Sequence, residues 1–570
     1  MFDLEHDRYS YGYLLLPKAG FTLDAAAGTT YSLDLEALLG VPVSLGLLEE
    51  ADGELMRSPL YLLEAIRKSA DKFAVFCNAG CISLPQNIES VYALLDQSVF
   101  QVKLENKCNF HPKLWVLKYS DGEGNSYIKL VVLSRNLTFD HSIDVCAALT
   151  GTVKKAKRLK NKPVADMLLY LMPYASEKKQ KLLRELADAV LHVPAFEVGL
   201  PFKDYEFLPM GIPGHTNSAG KLLEKKRDIF AVSPFLSDSV VKQIADCTGH
   251  KVLITRKASV TRAVMEAFDH VYVTREILSD NEFLADQDIH AKLYFVHTDD
   301  GNSLYLGSAN ASRNAFYKNV ECLLRLDYAK NRAGWKSFAD AFLQKGCCPY
   351  EEVTVLPELP PEEPEQESLR EALQEAVTAV GSASAFRDGD TWTILVSSAP
   401  MDTRVRIAPL YRTGCSAVLT ESSRFSGLLL KELSEFFVLS IEDQCVVIKI
   451  PTAGIPRERD QAIYRSVIDT REKFMSYLSF ALSDDYQTDA AEHELLVSSD
   501  RRREDSRHDT HTEPYPAVYE KLLKAFHAAP RKLLGIRDMV SRLDPEVVSP
   551  EFIQMFRQFE ELTERRRHQK

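Results

Sequence analysis

A chain of 570 residues is too long for one ordinary domain, and its 45% hydrophobic and 26% charged content belongs to a folded protein rather than a disordered one. A net charge of -12 excludes a protein that grips long nucleic acid by a uniformly basic surface; such a ligand would need a local cationic cleft on an acidic body. No run approaches the roughly 20 apolar residues of a membrane span, the start lacks the basic and apolar regions of a secretion signal, and the ten cysteines do not follow zinc-ligand spacings, so a cytoplasmic protein with reduced core thiols is expected.

In chain order, apolar runs alternate with helical patterns up to about residue 350, which predicts an α/β fold. A helix is expected at Pro59–Ser69, a strand at Lys72–Cys77, a helix around Asn87–Asp96 and a strand near Val99–Leu104. Residues Lys160–Leu200 read as a helical connection. From Asp228 the layout repeats: strands at Asp228–Ser233, Lys251–Thr255 and His270–Thr274, with helices near Asp238–Ala245 and Val260–Phe268 between them.

Both runs end in similar text. The first reads Phe110-His111-Pro112-Lys113-Leu114-Trp115-Val116 and the second Ile289-His290-Ala291-Lys292-Leu293-Tyr294-Phe295. A repeat at this spacing implies a duplicated domain, not a solenoid. Each motif opens a β-hairpin. Asp299-Asp300-Gly301-Asn302 is a turn signal, and a turn centred near residue 300 sets Lys292 opposite about residue 308. Ser120–Ser126 supplies a longer turn centred near 123, which sets Lys113 opposite about 133. Two unequal turns thus bring His, Lys, Ser and Asn together twice, with Ser134-Arg135-Asn136 in one hairpin and Ser308-Ala309-Asn310 in the other.

That set of residues suits a phosphodiester. Lysine ammonium and asparagine amide groups can hold phosphate oxygens and neutralise charge in the transition state. One histidine can attack phosphorus while the other protonates the leaving oxygen. The lysines would then do the electrostatic work that a divalent ion does elsewhere, so neither metal nor cofactor is expected.

The paired His-x-Lys…Ser-x-Asn text resembles the phospholipase D superfamily over roughly residues 55–330. The resemblance implies a duplicated α-β-α sandwich whose two pseudo-symmetric halves share one active site. It implies a catalytic set of His111, Lys113, Asn136, His290, Lys292 and Asn310, with Ser134 and Ser308 supporting the phosphate, and with His111 as nucleophile and His290 as general acid. It also implies an acidic residue that orients a histidine, for which Glu321 fits after Asn310 and Asp144 after Asn136. The aspartate that the family carries a few residues after each lysine is replaced by Lys118 and His297. In this the motifs are closer to tyrosyl-DNA phosphodiesterases and some bacterial nucleases than to lipid hydrolases.

Six segments are expected: a first half to residue 165, a second half with its helical connection over 166–355, a linker at 356–368, an α+β module over 369–497, a flexible connection at 498–514 and a helical tail over 515–570. In the module, strands are expected at Thr391–Val396, Arg404–Ala408, Ser416–Thr420, Phe436–Ile441 and Cys445–Ile450. The leading expectation is a metal-independent nuclease working through phosphohistidine, with DNA favoured over RNA. It would act without a membrane, in bacterial defence or DNA processing, beside a protein partner such as a helicase. A phospholipase or phosphatidyl transferase, and an idle nucleic-acid-binding scaffold, are the alternatives. Arg135 is the candidate for a further phosphate contact, and the basic runs Lys154–Lys162 and Lys221–Arg227 could line a channel.

Overall fold

Thr22–Thr30 is a central strand of a six-stranded sheet whose order is Val99–Val102, Phe73–Asn78, Thr22–Thr30, Leu114–Ser120, Ser126–Leu133, Cys146–Thr152. The structure, a computed structural model, describes residues 10–47, 58–139, 142–216, 218–274, 289–330, 334–343, 350–358, 364–399, 404–482 and 515–568. The first three strands run parallel and the last three antiparallel.

A second, eight-stranded sheet repeats this plan. His270–Thr274, Lys251–Thr255 and Asp228–Val232 are parallel, and Leu293–Thr298, Gly301–Gly307 and Glu321–Tyr328 follow antiparallel. Tyr350–Glu352 and Phe202–Met210 are added at its two edges. The duplicated α/β architecture expected from the repeat is therefore present, with equivalent strands in equivalent places.

One shared apolar layer takes residues from both sheets, among them Phe76, Val116, Phe230 and Phe295, and from the helices Lys162–Tyr170, Glu177–Leu191 and Trp335–Leu343. Each large side chain buried there contributes about 1.5–3 kcal/mol. The opposite face of the second sheet packs on the helices Asp238–Ile244 and Arg262–Ala267 through Val240, Ile244 and Val264.

The strand Thr22–Thr30 was not among those expected, and the reason is physical. Its middle, Ala25-Ala26-Ala27-Gly28, has none of the β-branched bulk that marks a strand. The small residues make room for a neighbour: a Cβ on Gly28 would lie 2.6 Å from the ring of Trp115. Val380–Asp388, another strand rich in Gly, Ala and Ser, went unrecognised for the same lack of bulk.

The back of the chain is not held apart by a linker. The helix Pro364–Ala379 begins inside the stretch expected to be a linker, and the expected connection at 498–514 lies outside the described residues. One sheet of the module runs Ser422–Leu428, Thr391–Ser398, Val380–Asp388, Thr452–Ala453. The other mixes chain from front and back, in the order Leu33–Asp34, Ile82–Ser83, Gln444–Lys449, Phe436–Ile441, Arg406–Pro409, Ala417–Val418. Arg459 donates to Asp96 across this junction, both side chains being buried. Three tail helices, Tyr515–Ala528, Pro530–Val540 and Pro550–His568, contribute Leu522, Ile536 and Phe552 to the same core as Leu63 and Ile66 of the helix Pro59–Ser69. Among the described residues no helix is long and apolar enough to cross a membrane.

Candidate active site

Each His-x-Lys segment lies just before a hairpin strand, on the approach to Leu114–Ser120 or Leu293–Thr298. The first hairpin has the expected register: Leu114 faces Val132, and Leu133 N donates to Lys113 O at 2.9 Å. The second is one residue tighter than expected. Thr298 pairs with Gly301 around Asp299-Asp300, so Lys292 faces Gly307 and not residue 308. Gly307 is at φ +151, and a Cβ there would meet Cys322 O at 2.4 Å. That close approach explains why glycine precedes Ser308, whereas Leu133 precedes Ser134.

The two halves meet through reciprocal bridges. Phe110 pairs with Val320, and Ile143 with Ile289. His111 N donates to Val320 O at 2.9 Å, and His290 N to Ile143 O at 3.0 Å. The residue that follows each bridging carbonyl is an acid, and each acid reaches the histidine of the other half. Glu321 Oε2 lies 2.8 Å from His111 Nδ1, and Asp144 Oδ1 lies 3.3 Å from His290 Nδ1. The family resemblance implies both acids; the crossing between halves is not legible in the sequence.

Lys113 and Lys292 are fully buried. Each ammonium donates to the carbonyl of its own motif histidine, Lys113 Nζ to His111 O at 3.0 Å and Lys292 Nζ to His290 O. Burial lowers Lys113 to about 8, against the pull of Glu321 and Asp144. Lys292 is pushed well below the ordinary lysine value by burial and by the charge of Lys113. Each ammonium thus disfavours the charge of the other, which a bound anion would relieve.

His111 is lowered to about 4 by burial, with Lys113 and Lys292 adding to the shift and Glu321 opposing it. Burial and the same lysines lower His290, against its hydrogen bond to Asp144. Burial raises the carboxyl of Asp144, but its bonds to His290 and Ser134 and the charge of Lys292 prevail and leave it below the usual carboxylate value. Each carboxylate holds a proton on the Nδ1 that faces it, so a neutral His111 presents an Nε2 lone pair, while a protonated His290 presents an Nε2–H.

Ser134 and Ser308, the supporting residues implied by the resemblance, are both fully buried and donate to the acids. Ser134 Oγ donates to Asp144 Oδ1 at 2.6 Å, and Ser308 Oγ to Glu321 Oε2. Asn136 Oδ1 accepts from Tyr31 N at 3.3 Å, while the buried Asn310 Oδ1 has no hydrogen-bond partner among the described residues. Arg135 is half-buried and donates to Thr138 O at 3.3 Å, within its own loop.

Several residues at the site were not singled out from sequence. The Tyr31 ring centre lies 4.9 Å from that of His111, and Lys113 Nζ is 5.8 Å from the same ring. Asn78 Oδ1 accepts from Phe110 N at 2.8 Å, and Asn319 bridges Asn109 and Glu321. Thr30 and Ser233 occupy matching places, each hydroxyl accepting the backbone N–H of the residue after a motif asparagine, Leu137 or Ala311, at 2.9 Å. Aligning the first strand of each half would have found them.

Where the family pattern has an aspartate after each lysine, the acid instead lies on the adjoining strand. Lys118 pairs with Asp24 at 3.2 Å, and His297 Nδ1 lies 2.6 Å from Asp228. Of the basic runs, Lys157, Lys160 and Lys162 are paired with Asp188, Asp204 and Asp166, and Lys226 turns inward to Ile244 O.

No family model matches the chain, and no curated protein matches its sequence. Solved structures similar to it include yeast tyrosyl-DNA phosphodiesterase, at 13% identity and TM-score 0.33 over 55% of this chain and 84% of that one. Polyphosphate kinase from Porphyromonas gingivalis is similar at 11% identity and TM-score 0.36, over 66% and 52%. Phosphatidylserine synthase from Haemophilus influenzae Rd KW20 is similar at 12% identity and TM-score 0.35, over 64% and 91%.

Proposed function

We propose that the chain is a phosphodiesterase that cleaves nucleic acid, DNA in preference to RNA, through a phosphohistidine on His111. The observation that carries this reading is the crossed pair of histidine–carboxylate bonds, His111 to Glu321 and His290 to Asp144, around two buried lysines.

In the first step His111 Nε2 attacks phosphorus and the bond from phosphorus to the leaving oxygen breaks. That oxygen takes a proton from His290. Lys113, Lys292, Asn136 and Asn310 hold the non-bridging oxygens, where their charge and dipoles count for more than in water. Lysines that disfavour one another's charge gain most when they share an anionic phosphate. In the second step water loses a proton to His290 and attacks phosphorus, the bond to His111 breaks, and both rings return to their starting states. Glu321 and Asp144 fix the tautomers and hold the rings in line, as positioning residues.

The choice of nucleic acid is supported by motif text that departs from the lipid hydrolases at Lys118 and His297. Labelled single- and double-stranded DNA and RNA, incubated with excess EDTA, test the reading. Cleavage is expected with wild type and not with His111→Ala. Hydrolysis confined to phospholipid vesicles would overturn the nucleic-acid assignment.

A further inference from the structure

Phe235 is 47% exposed, yet the loop that carries it is fastened at three successive carbonyls. Thr255 Oγ1 donates to Ser233 O at 2.8 Å, Ser259 Oγ to Pro234 O at 2.6 Å, and Ser233 Oγ to Phe235 O at 3.0 Å. Pro234 further fixes the backbone. The Ser233 hydroxyl also accepts from Ala311 N at 2.9 Å, and Leu236 bridges to Ala311, so the loop is tied to the residue after Asn310. The guanidinium of Arg256 lies 4.7 Å from the centre of the Phe235 ring. Because Ala311 directly follows Asn310, these ties set the loop beside the candidate site.

A half-exposed ring whose backbone is held at three carbonyls and whose face is backed by a guanidinium is pre-set to receive a flat ligand. In the first half the position matched to Phe235 holds no ring. Thr30 matches Ser233: its hydroxyl accepts from Leu137 N and donates to Ser32 O at 2.7 Å. Ser32 therefore stands where Phe235 stands, and the strand register sets Asn78 where Arg256 stands. The two halves are matched at the histidines, lysines and asparagines and differ here. A phosphodiester also has two unlike sides, and this difference gives the site a direction.

We propose that Phe235, backed by Arg256, is a stacking platform for an unpaired nucleobase next to the scissile phosphate, on the second-half side of the site. This rests on the nucleic-acid reading above and adds that the substrate is single-stranded at the point of cleavage. A base has a π-face whatever its identity, so the platform tolerates sequence, while a paired base could not lie on it.

The test compares a labelled single-stranded DNA oligonucleotide with the same oligonucleotide made abasic around its cleavage points, using the full chain. Phe235→Ala is expected to lower kcat/KM on the normal oligonucleotide by about 10-fold or more, the usual loss for one stacked base. It should leave the abasic one unchanged, and Phe235→Trp should retain activity on both. Equal losses on the two substrates, or no loss on either, would overturn the platform while wild-type cleavage still upheld the nuclease. Wild type that cut no nucleic acid but hydrolysed phosphatidylcholine vesicles would overturn both.

Discussion

Glu321 Oε2 stands 2.8 Å from His111 Nδ1 although the residues are 210 positions apart and belong to different halves of the chain. Ser308 and Asn319 also donate to this carboxylate, so it has little freedom to move. Glu321→Gln preserves shape but offers the ring an amide in place of an anion, and the wrong imidazole tautomer becomes accessible. We expect kcat to fall by about 10²- to 10⁴-fold with KM little changed. Steady-state kinetics on a fluorogenic phosphodiester check this; a change confined to KM would remove the positioning role.

The pH profile follows from the depressed histidines. His111 must be neutral to attack, so kcat/KM rises as pH passes about 4. His290 must hold a proton for the leaving oxygen, and its value is lowered. The rate therefore declines above a point that lies below the roughly 6.5 of a free imidazole. Above about 8 Lys113 loses its charge too, and the decline steepens. The optimum should be acidic, and a rate independent of pH from neutrality upward would contradict these assignments.

The two histidines separate in a trapping experiment. With labelled substrate and rapid acid-free denaturation, His111→Ala should yield no phosphoprotein, because the nucleophile is gone. On a substrate whose leaving group needs no proton, His290→Ala should accumulate it, because the first step still runs while the water of the second step has lost its base. Label that persists in His111→Ala would exchange the roles.

The buried pair of Arg459 with Asp96 predicts that front and back unfold together. Arg459→Ala leaves Asp96, which burial already raises to about 6, without its main counter-charge. A destabilisation of about 3–5 kcal/mol is expected, read from denaturant melts. Loss of the module's structure alone, with the front half keeping its midpoint, would show that the two are independent.

The motif chemistry was legible because strand alternation and turn residues dictate what lies across a hairpin. His111, Lys113, Asn136 and their partners needed only local rules. Glu321 and Asp144 came within reach only through the family resemblance, and their exchange between halves depends on the Phe110–Val320 and Ile143–Ile289 bridges, which no local pattern encodes. The one-residue shift at Lys292 came from a tighter turn at Asp299-Asp300 than the sequence suggested. The Pro/Glu-rich text after Leu356 looks like a boundary, yet Ile82 pairs with Val447 across it, because sheet edges are completed by whichever strand docks there.

That shared sheet has a consequence for how the protein is made. Val447 pairs with Ile82, more than 350 residues earlier in the chain. At a synthesis rate of about 5–20 residues per second, the strand that finishes this edge leaves the ribosome roughly 20 to 70 s after the strand it meets. The second half, whose outer core draws on residues from Leu208 to Leu323, has no such wait. The later-made half is thus able to close first, while the half made earliest keeps an open edge and the apolar face of Pro59–Ser69 uncovered. Chaperone dependence during translation should therefore concentrate on the N-terminal third.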